Sequence, residues 1–287
     1  MDKVALSPDD AVPFDHIAPG LSGLKITFVN VFGVNHPDGS WTLIDAAIPA
    51  TAFRIKSWAK DTFRRPPNAI ILTHGHFDHV GDVKTLAEEW NVPIYAHPLE
   101  FPYLTGQAEY PAPNWAAGGG VMPLMSPTLP RGPIDVGNRL RPLPFQSQAE
   151  GPNAGQDLTL AELPGWTLLH TPGHTPGHVS FWRASDATLL VGDAFCTTKP
   201  ESFFAANFPG APELHGPPSY FTSDWPAAMA SVRKLAALNP RTVAPGHGKP
   251  LAGADVATSL ARLAADFERI AVPDNVKQGT EPARKSA

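Results

Sequence analysis

Cysteine, charge and long apolar runs are all scarce in this chain. One cysteine, Cys196, in 287 residues rules out a framework of intrachain disulfides. No segment reaches the ~18–20 consecutive apolar residues that a membrane-spanning helix requires. The first twenty residues carry Asp2, Asp9, Asp10 and Asp15, the wrong sign of charge for a secretory leader. Charged residues make up 17% of the chain, and 22 basic side chains stand against 27 acidic ones for a net charge of −5. Nucleic-acid binding needs a stripe of cations on the phosphate backbone, and this balance offers none. The expectation is a cytoplasmic protein with neither a membrane nor a nucleic-acid partner.

Other residue types are plentiful. Hydrophobic residues reach 43%, enough to bury a core and to exclude disorder as the dominant state. Proline is abundant, with 33 residues beside 24 glycines, roughly twice the ordinary proline usage of ~5%. Such a chain has long loops stiffened by fixed φ angles. No stretch reads as an interdomain linker, so one domain is expected over 1–287, with an arm at 1–22 and a loose polar tail at 274–287.

Periodicity places the elements. A strand over 24–34, a turn at His36-Pro37-Asp38-Gly39 and a strand over 41–47 form a hairpin. Residues 52–63 have helical spacing, 69–73 (AIILT) form a short apolar strand, and Val83, Leu86, Ala87 and Trp90 share a helical face before a strand at 92–96. This strand–helix–strand alternation predicts a layered α/β architecture. The pattern breaks over 102–155, a Pro/Gly-rich segment containing Gly118-Gly119-Gly120. A loop that long reads either as a lid or pocket wall or as a plain surface insertion. Strands are expected again at 158–162, 166–170, 178–183 and 188–191, followed by an irregular aromatic stretch at 197–222. Asp224-Trp225-Pro226 opens a helix with a capping residue and a first-turn proline. A strand at 242–244 and an amphipathic helix bearing Leu260, Leu263, Ala264, Phe267 and Ile270 close the chain.

The eleven histidines are not scattered evenly. The strand AIILT runs directly into His74-Gly75-His76-Phe77-Asp78-His79, a spacing that matches neither a strand nor a helix face. The strand at 166–170 ends in Thr171-Pro172-Gly173-His174, the one at 188–191 in Gly192-Asp193, and the one at 242–244 in Pro245-Gly246-His247. Four strands thus deliver imidazole or carboxylate at their carboxyl tips, where open α/β sheets place ligands. Imidazole with carboxylate suits zinc and related divalent cations. His170 and His178 read as core residues or as groups orienting the ligands, and His16, His36, His97 and His215 as surface or packing residues. Asp45 reads as a support behind the site or as a turn residue, and Cys196 as a buried structural thiol.

These motifs, in this order over nearly the whole chain, resemble the metallo-β-lactamase superfamily. The resemblance implies an α/β fold built as a four-layer αββα sandwich with a dinuclear site at one edge. It assigns His74, His76 and His174 to one ion, Asp78, His79 and His247 to the other, and Asp193 to a bridge between them. The cofactor expected is a pair of divalent ions, zinc first, with manganese, iron and cobalt as alternatives. Two such ions ~3.5–4 Å apart share a water and lower its pKa toward ~7, so a bridging hydroxide attacks an ester-like bond. Asp78 is the catalytic residue in this reading, orienting the nucleophile and relaying its proton.

The subfamily is left open. The superfamily's acyl-homoserine-lactone hydrolases have a tyrosine three residues after the bridging aspartate, where this chain has Cys196. Glyoxalase II and the persulfide dioxygenases have Gly-Cys-Gly-Arg after that aspartate, against Ala194-Phe195-Cys196-Thr197 here. Flavodiiron members have glutamate in place of His76. What is left is a zinc-dependent lactonase- or esterase-like hydrolase of a neutral, fairly apolar small molecule. The alternatives are a mononuclear iron oxidoreductase of the persulfide dioxygenase type and a phosphotriester or β-lactam hydrolase. Phe101, Tyr103, Tyr110 and Trp115, with Phe203, Phe204, Phe208, Tyr220 and Phe221, are the candidate pocket wall, or else anchors of long loops. Exposed aromatics would equally serve a homodimer.

Overall fold

Successive side chains of a strand leave on opposite faces, and in the central strands of this protein both faces find a core. The computed structural model describes residues 11–132, 134–145, 158–199, 201 and 213–279. Seven strands form the first sheet, in chain order: β1 (Ala11–Ala18), β2 (Leu21–Ile26), β3 (Val29–Asn35), β4 (Trp41–Ile44), β5 (Ile70–Ile71), β6 (Ile94–Ala96) and β7 (Leu140–Pro142). β1 to β4 are antiparallel neighbours, and β4 to β7 run parallel. The second sheet contains β8 (Thr167–His170), β9 (Val179–Arg183), β10 (Thr188–Gly192), β11 (Thr242–Pro245) and β12 (Leu251–Ala252), in the order β12-β11-β10-β9-β8.

Helices cover the outer faces. α1 (Ala52–Thr62), the single-turn α2 (Phe77–Val80) and α3 (Val83–Trp90) flank the first sheet. The short α4 (Phe101–Leu104) and α5 (Val121–Met125) lie in the irregular segment, and α6 (Trp225–Ala236), α7 (Asp255–Ala265), α8 (Phe267–Ile270) and α9 (Asp274–Lys277) follow. Val29 and Val31 of β3 and Leu43 of β4 join Ile55 and Leu86 in one outer core. Leu189 and Val191 of β10 join Trp225, Val232 and Leu260 in the other. Phe32 and Val34, Ile44, Leu190 and Ala244 face inward and meet between the sheets with Trp166 and Phe181. Three cores between four layers make an αββα sandwich, which the near-continuous apolar central strands allow because both of their faces are covered. Asp82 ties this frame together by accepting the N–H groups of Ala50, Thr51 and Ala52 at the start of α1 (3.1, 2.5 and 2.5 Å).

Several expected boundaries move. The arm read over 1–22 is a strand from Ala11 onward, paired to β2 with a register irregularity between Phe14 and Ala18. Pro13 and the left-handed His16 (φ 59°) are tolerated there because β1 is an edge strand. The single strand read over 24–34 is two, folded by a two-residue turn at Thr27-Phe28 with Thr27 at φ 57°. The strand expected at 158–162 shrinks to one bridge, Leu158 to Leu168. Within the segment read as irregular over 102–155, residues 140–142 pair with β6 as β7. The tail expected from 274 begins with α9, and the last helix breaks at Asp266 into α7 and α8. Among the described residues no helix is long and apolar enough to cross a membrane.

Candidate metal centre

β5 lies between β4 and β6, and its carboxyl end releases the chain into His74, Gly75 and His76 before α2 lifts Asp78 and His79. The turn between β8 and β9 supplies His174, β10 ends at Gly192-Asp193, and β11, parallel to β10, ends at Gly246-His247. All seven side chains predicted as ligands are buried and meet at this edge of the sandwich. Gly246 is required by crowding: a Cβ there would lie 2.3 Å from Asp193 Oδ1 and 2.7 Å from His79 Cε1.

The donor atoms fall into overlapping groups of three, each within 4.8 Å: His74, His76 and His174; His74, His79 and Asp193; Asp78, His79 and His247. Asp193 lies among the imidazoles, with Oδ2 3.1 Å from His247 Nε2 and 3.4 Å from His174 Nε2, and Oδ1 3.5 Å from His79 Nε2. Asp78 Oδ2 is 3.4 Å from His247 Nε2.

The back of each ring is held by a defined partner. Asp45 (φ 63°) accepts the Thr73 backbone N–H at 2.8 Å, the Thr73 hydroxyl at 2.8 Å and His79 Nδ1–H at 2.8 Å. Because Thr73 spends its proton on Asp45, it accepts from His74 Nδ1–H at 3.0 Å. His174 Nδ1–H reaches Thr222 Oγ1 at 3.2 Å, and that hydroxyl donates to the Pro218 carbonyl at 2.8 Å. His247 Nδ1–H donates to the Phe28 carbonyl at 2.9 Å, while Asn30 Nδ2 donates to the Pro245 and Gly248 carbonyls at 2.8 and 2.6 Å. The Nε2 atoms of His74, His79, His174 and His247 are thereby turned inward, each a donor atom for a cation once it is unprotonated. His178 accepts the Asp193 N–H at Nε2 (2.8 Å), and burial holds its pKa down at about 4, so it is neutral.

This arrangement fits divalent cations. His76 Nδ1 lies 3.1 Å from His74 Nε2 and 2.9 Å from His174 Nε2, and it has at most one proton to share between those two lone pairs. His79 Nε2 and Asp193 Oδ1 are buried without a hydrogen-bond partner. Positive charge among these atoms resolves both conflicts. The first group is already set for it. Burial, then the neighbouring imidazoles, hold His74 and His174 well below the usual histidine range, and burial pushes His76 down to about 3.

The second group differs. Burial opposes the charged form of His79, but Asp193, Asp45 and Asp78 together raise its pKa well above the usual value, and His247 is raised by Asp193 and Asp78 against the same burial. Burial raises Asp78, whereas Asp193 is held low by His247 and His79 despite its burial. A raised folded-state pKa means that the ring keeps its proton to higher pH than a free imidazole, and that proton must leave before the nitrogen can ligate. Cation binding to Asp78, His79 and His247 should therefore release protons near pH 7 and tighten as pH rises from ~6.5, while binding to His74, His76 and His174 releases almost none. Calorimetric titration in buffers of different ionisation enthalpy checks this; equal proton release at both groups would contradict it.

The aromatic candidates divide. Tyr110 and Phe221 lie against the His76 ring, at 4.5 and 5.0 Å between centroids. Tyr103 stacks on Tyr110 at 3.9 Å, and Tyr220 is buried against Phe221 at 4.9 Å. Phe101 does not join them: it packs on the outer core of the first sheet, where its position at the start of α4 directs it. Trp115 is 50% exposed. Phe203, Phe204 and Phe208 lie outside the described residues. Cys196 is fully buried, and burial raises its thiol pKa well above the usual value. His170 stacks on His97 at 4.3 Å and bonds the Pro176 carbonyl at 2.8 Å.

Two contributions escaped the sequence reading. The turn at Thr27-Phe28 holds His247 from the opposite end of the chain, and neither of its residues is a usual turn former. Glu100, 1% exposed, receives backbone N–H groups from two ligand loops (Gly75 to Oε2 at 3.0 Å, Gly177 to Oε1 at 2.6 Å) and the Tyr110 hydroxyl. Burial raises its carboxyl pKa. The glycines beside the ligands were the available hint, since a Cβ on Gly177 would lie 2.7 Å from Glu100 Cγ.

A sandwich of two sheets with this donor set at one edge defines a class, and the chain belongs to it: the metallo-beta-lactamase superfamily profile matches residues 25–247. It is a metallo-hydrolase of that superfamily. The probable metallo-hydrolase YflN of Bacillus subtilis (strain 168) is 39% identical over 251 residues, covering 86% of this chain and 90% of its own. Among solved structures, TTHA1623 in a di-iron-bound form is 28% identical with a TM-score of 0.51, covering 79% of this chain and 91% of that one. The B3 metallo-beta-lactamase BLEG-1 is 25% identical with a TM-score of 0.54, covering 79% and 90%.

Proposed function

We propose that this protein hydrolyses a neutral, fairly apolar ester, a lactone in the first instance, at a dinuclear centre held by His74, His76 and His174, by Asp78, His79 and His247, and by Asp193 between them. The observation that carries the reading is the inward-facing set of ring nitrogens and unpaired carboxylate oxygen, with Tyr110 and Phe221 against one ligand. Two bound divalent cations supply an activated water and polarise the ester carbonyl. The protein's own groups do the rest. Asp45, Thr73, Thr222 and the Phe28 carbonyl fix the ligand rings. The raised carboxyl pKa of Asp78 suits it to take a proton from the water and return it to the leaving oxygen. Aromatic rings beside the ligands favour an apolar acyl or alkoxy group.

The second donor group is as complete as the first, which favours two ions over the single iron of a dioxygenase. Zinc is the metal proposed; TTHA1623 was solved with two irons, so iron belongs in the test. Protein loaded separately with zinc, manganese, iron and cobalt, each beside a chelated control, is assayed on aliphatic lactones, aryl esters, thioesters, phosphotriesters and β-lactams. The expected result is about two metal ions per chain and a chelator-sensitive preference for lactones or neutral esters. Equal turnover of apolar and highly charged esters would overturn the substrate class. One iron per chain with oxygen uptake would overturn hydrolysis.

A further inference from the structure

We propose that Glu100 is a positioning residue that locks together the two loops forming the His74, His76 and His174 donor group, and so sets the affinity of that group independently of the other. This rests on the dinuclear reading above and deepens it. His74 and His76 flank Gly75 after β5, whereas His174 stands in the turn between β8 and β9, in the other sheet. β5 and β8 belong to different sheets, and the main-chain bond from the Val179 N–H to the Thr73 carbonyl (2.9 Å) joins the two loops only at their base, before His74 and at the start of β9. Glu100 spans them. Its Oε2 accepts the Gly75 N–H at 3.0 Å, and its Oε1 accepts the Gly177 N–H at 2.6 Å. One carboxylate thus fixes the backbone between two ligands and the backbone three residues past the third.

Tyr110 completes the clamp. Its hydroxyl donates to Glu100 Oε2 and accepts the Gly75 N–H at 3.1 Å. Its ring lies against His76, and Tyr103 stacks behind it. The irregular segment is therefore tied to a ligand ring as well as to the carboxylate. Both glycines are required by this approach, since a Cβ on Gly75 would fall 2.5 Å from the Tyr110 hydroxyl and one on Gly177 2.8 Å from Glu100 Oε1. A carboxylate 1% exposed that receives three donors is costly to leave half-paired, so the loops move together or not at all. The other donor group does not use it: Asp45 holds His79, and the Phe28 carbonyl holds His247.

The test separates the groups. His247→Ala leaves the first group to bind cobalt(II) and His74→Ala leaves the second, and each is prepared with and without Glu100→Gln. Gln is the same size but can accept only one of the two N–H groups through its single oxygen. Cobalt affinity is read by competition with a chromophoric chelator, and ligand geometry from the visible d–d spectrum. Glu100→Gln should weaken the first group by ~10–100-fold, the range for groups that orient metal ligands, alter its cobalt spectrum, and leave the second group within about threefold. Tyr110→Phe, which removes one arm of the clamp, should shift the first group alone and by less; it carries the test if Glu100→Gln fails to fold. No change at the first group, or equal losses at both, would overturn the proposal. If the unsubstituted protein bound no cobalt, the dinuclear reading itself would fall. Two bound ions with a first group indifferent to Glu100 and Tyr110 would sink only the clamp.

Discussion

Asp193→Asn is expected to cut turnover by ~10³-fold or more, beyond the 10–100-fold typical of residues that merely orient a ligand, and to leave the protein unable to retain two ions. The substitution keeps the shape of the side chain and removes its charge. That charge faces His79 at 3.5 Å, His174 at 3.4 Å and His247 at 3.1 Å, all inside a buried site. Among the described residues no other carboxylate stands between the two donor groups, because Asp78 belongs to the second group only. Without it, two divalent cations would sit side by side against neutral imidazoles, and their repulsion would go uncompensated in a medium that screens poorly. Metal content after gel filtration, with kinetics on whichever substrate the unsubstituted protein turns over, checks this. The variant should also release fewer protons on metal binding, because Asp193 contributes most to raising the pKa of His79. Retention of two ions and of turnover within tenfold would show that the bridge is not needed.

Asp45→Ala should damage both donor groups at once, unlike substitutions of Glu100. Asp45 holds His79 directly and His74 through Thr73, so cation affinity should fall by ~10–100-fold in each group. The metal-free protein should also lose ~3–5 kcal/mol, because removing one member of a buried ion pair strands the other. The Thr73 N–H and hydroxyl lose their acceptor as well. Asp45→Asn should be milder in stability, since asparagine tolerates the left-handed φ of 63°, yet it still loses one of the acceptors that orient the two rings. Denaturant unfolding of the metal-free protein and cobalt titration of each group measure the two effects separately. An unchanged first group would show that Thr73 alone orients His74.

Some of this architecture was readable along the chain because it is local. The strand AIILT, its abrupt end in His74-Gly75-His76, and the Gly-Asp and Gly-His ends of later strands each announce a strand tip carrying polar donors. The outer helices were readable from their apolar stripes, which the cores containing Ile55, Leu86, Val232 and Leu260 bear out. The edge strand β1 was not, because most of its side chains stay at least partly exposed and print no alternation. Nor was the turn at Thr27-Phe28, where neither position is a glycine, asparagine or proline. Phe101 was readable only as pocket wall or loop anchor, because an aromatic residue in an irregular segment looks the same in either role; it packs on the outer core of the first sheet.

By itself, the sequence determined the donor types, their order and their attachment to strand ends, since ligand chemistry and local backbone shape depend on neighbouring residues alone. The tertiary structure decided which donors share a group, which nitrogen of each ring faces inward, and that Asp45 and Glu100 hold them. Those choices rest on hydrogen bonds between residues as far apart as Phe28 and His247. Only the stacking of the two sheets brings such residues within 3 Å, and no pattern along the chain encodes that distance.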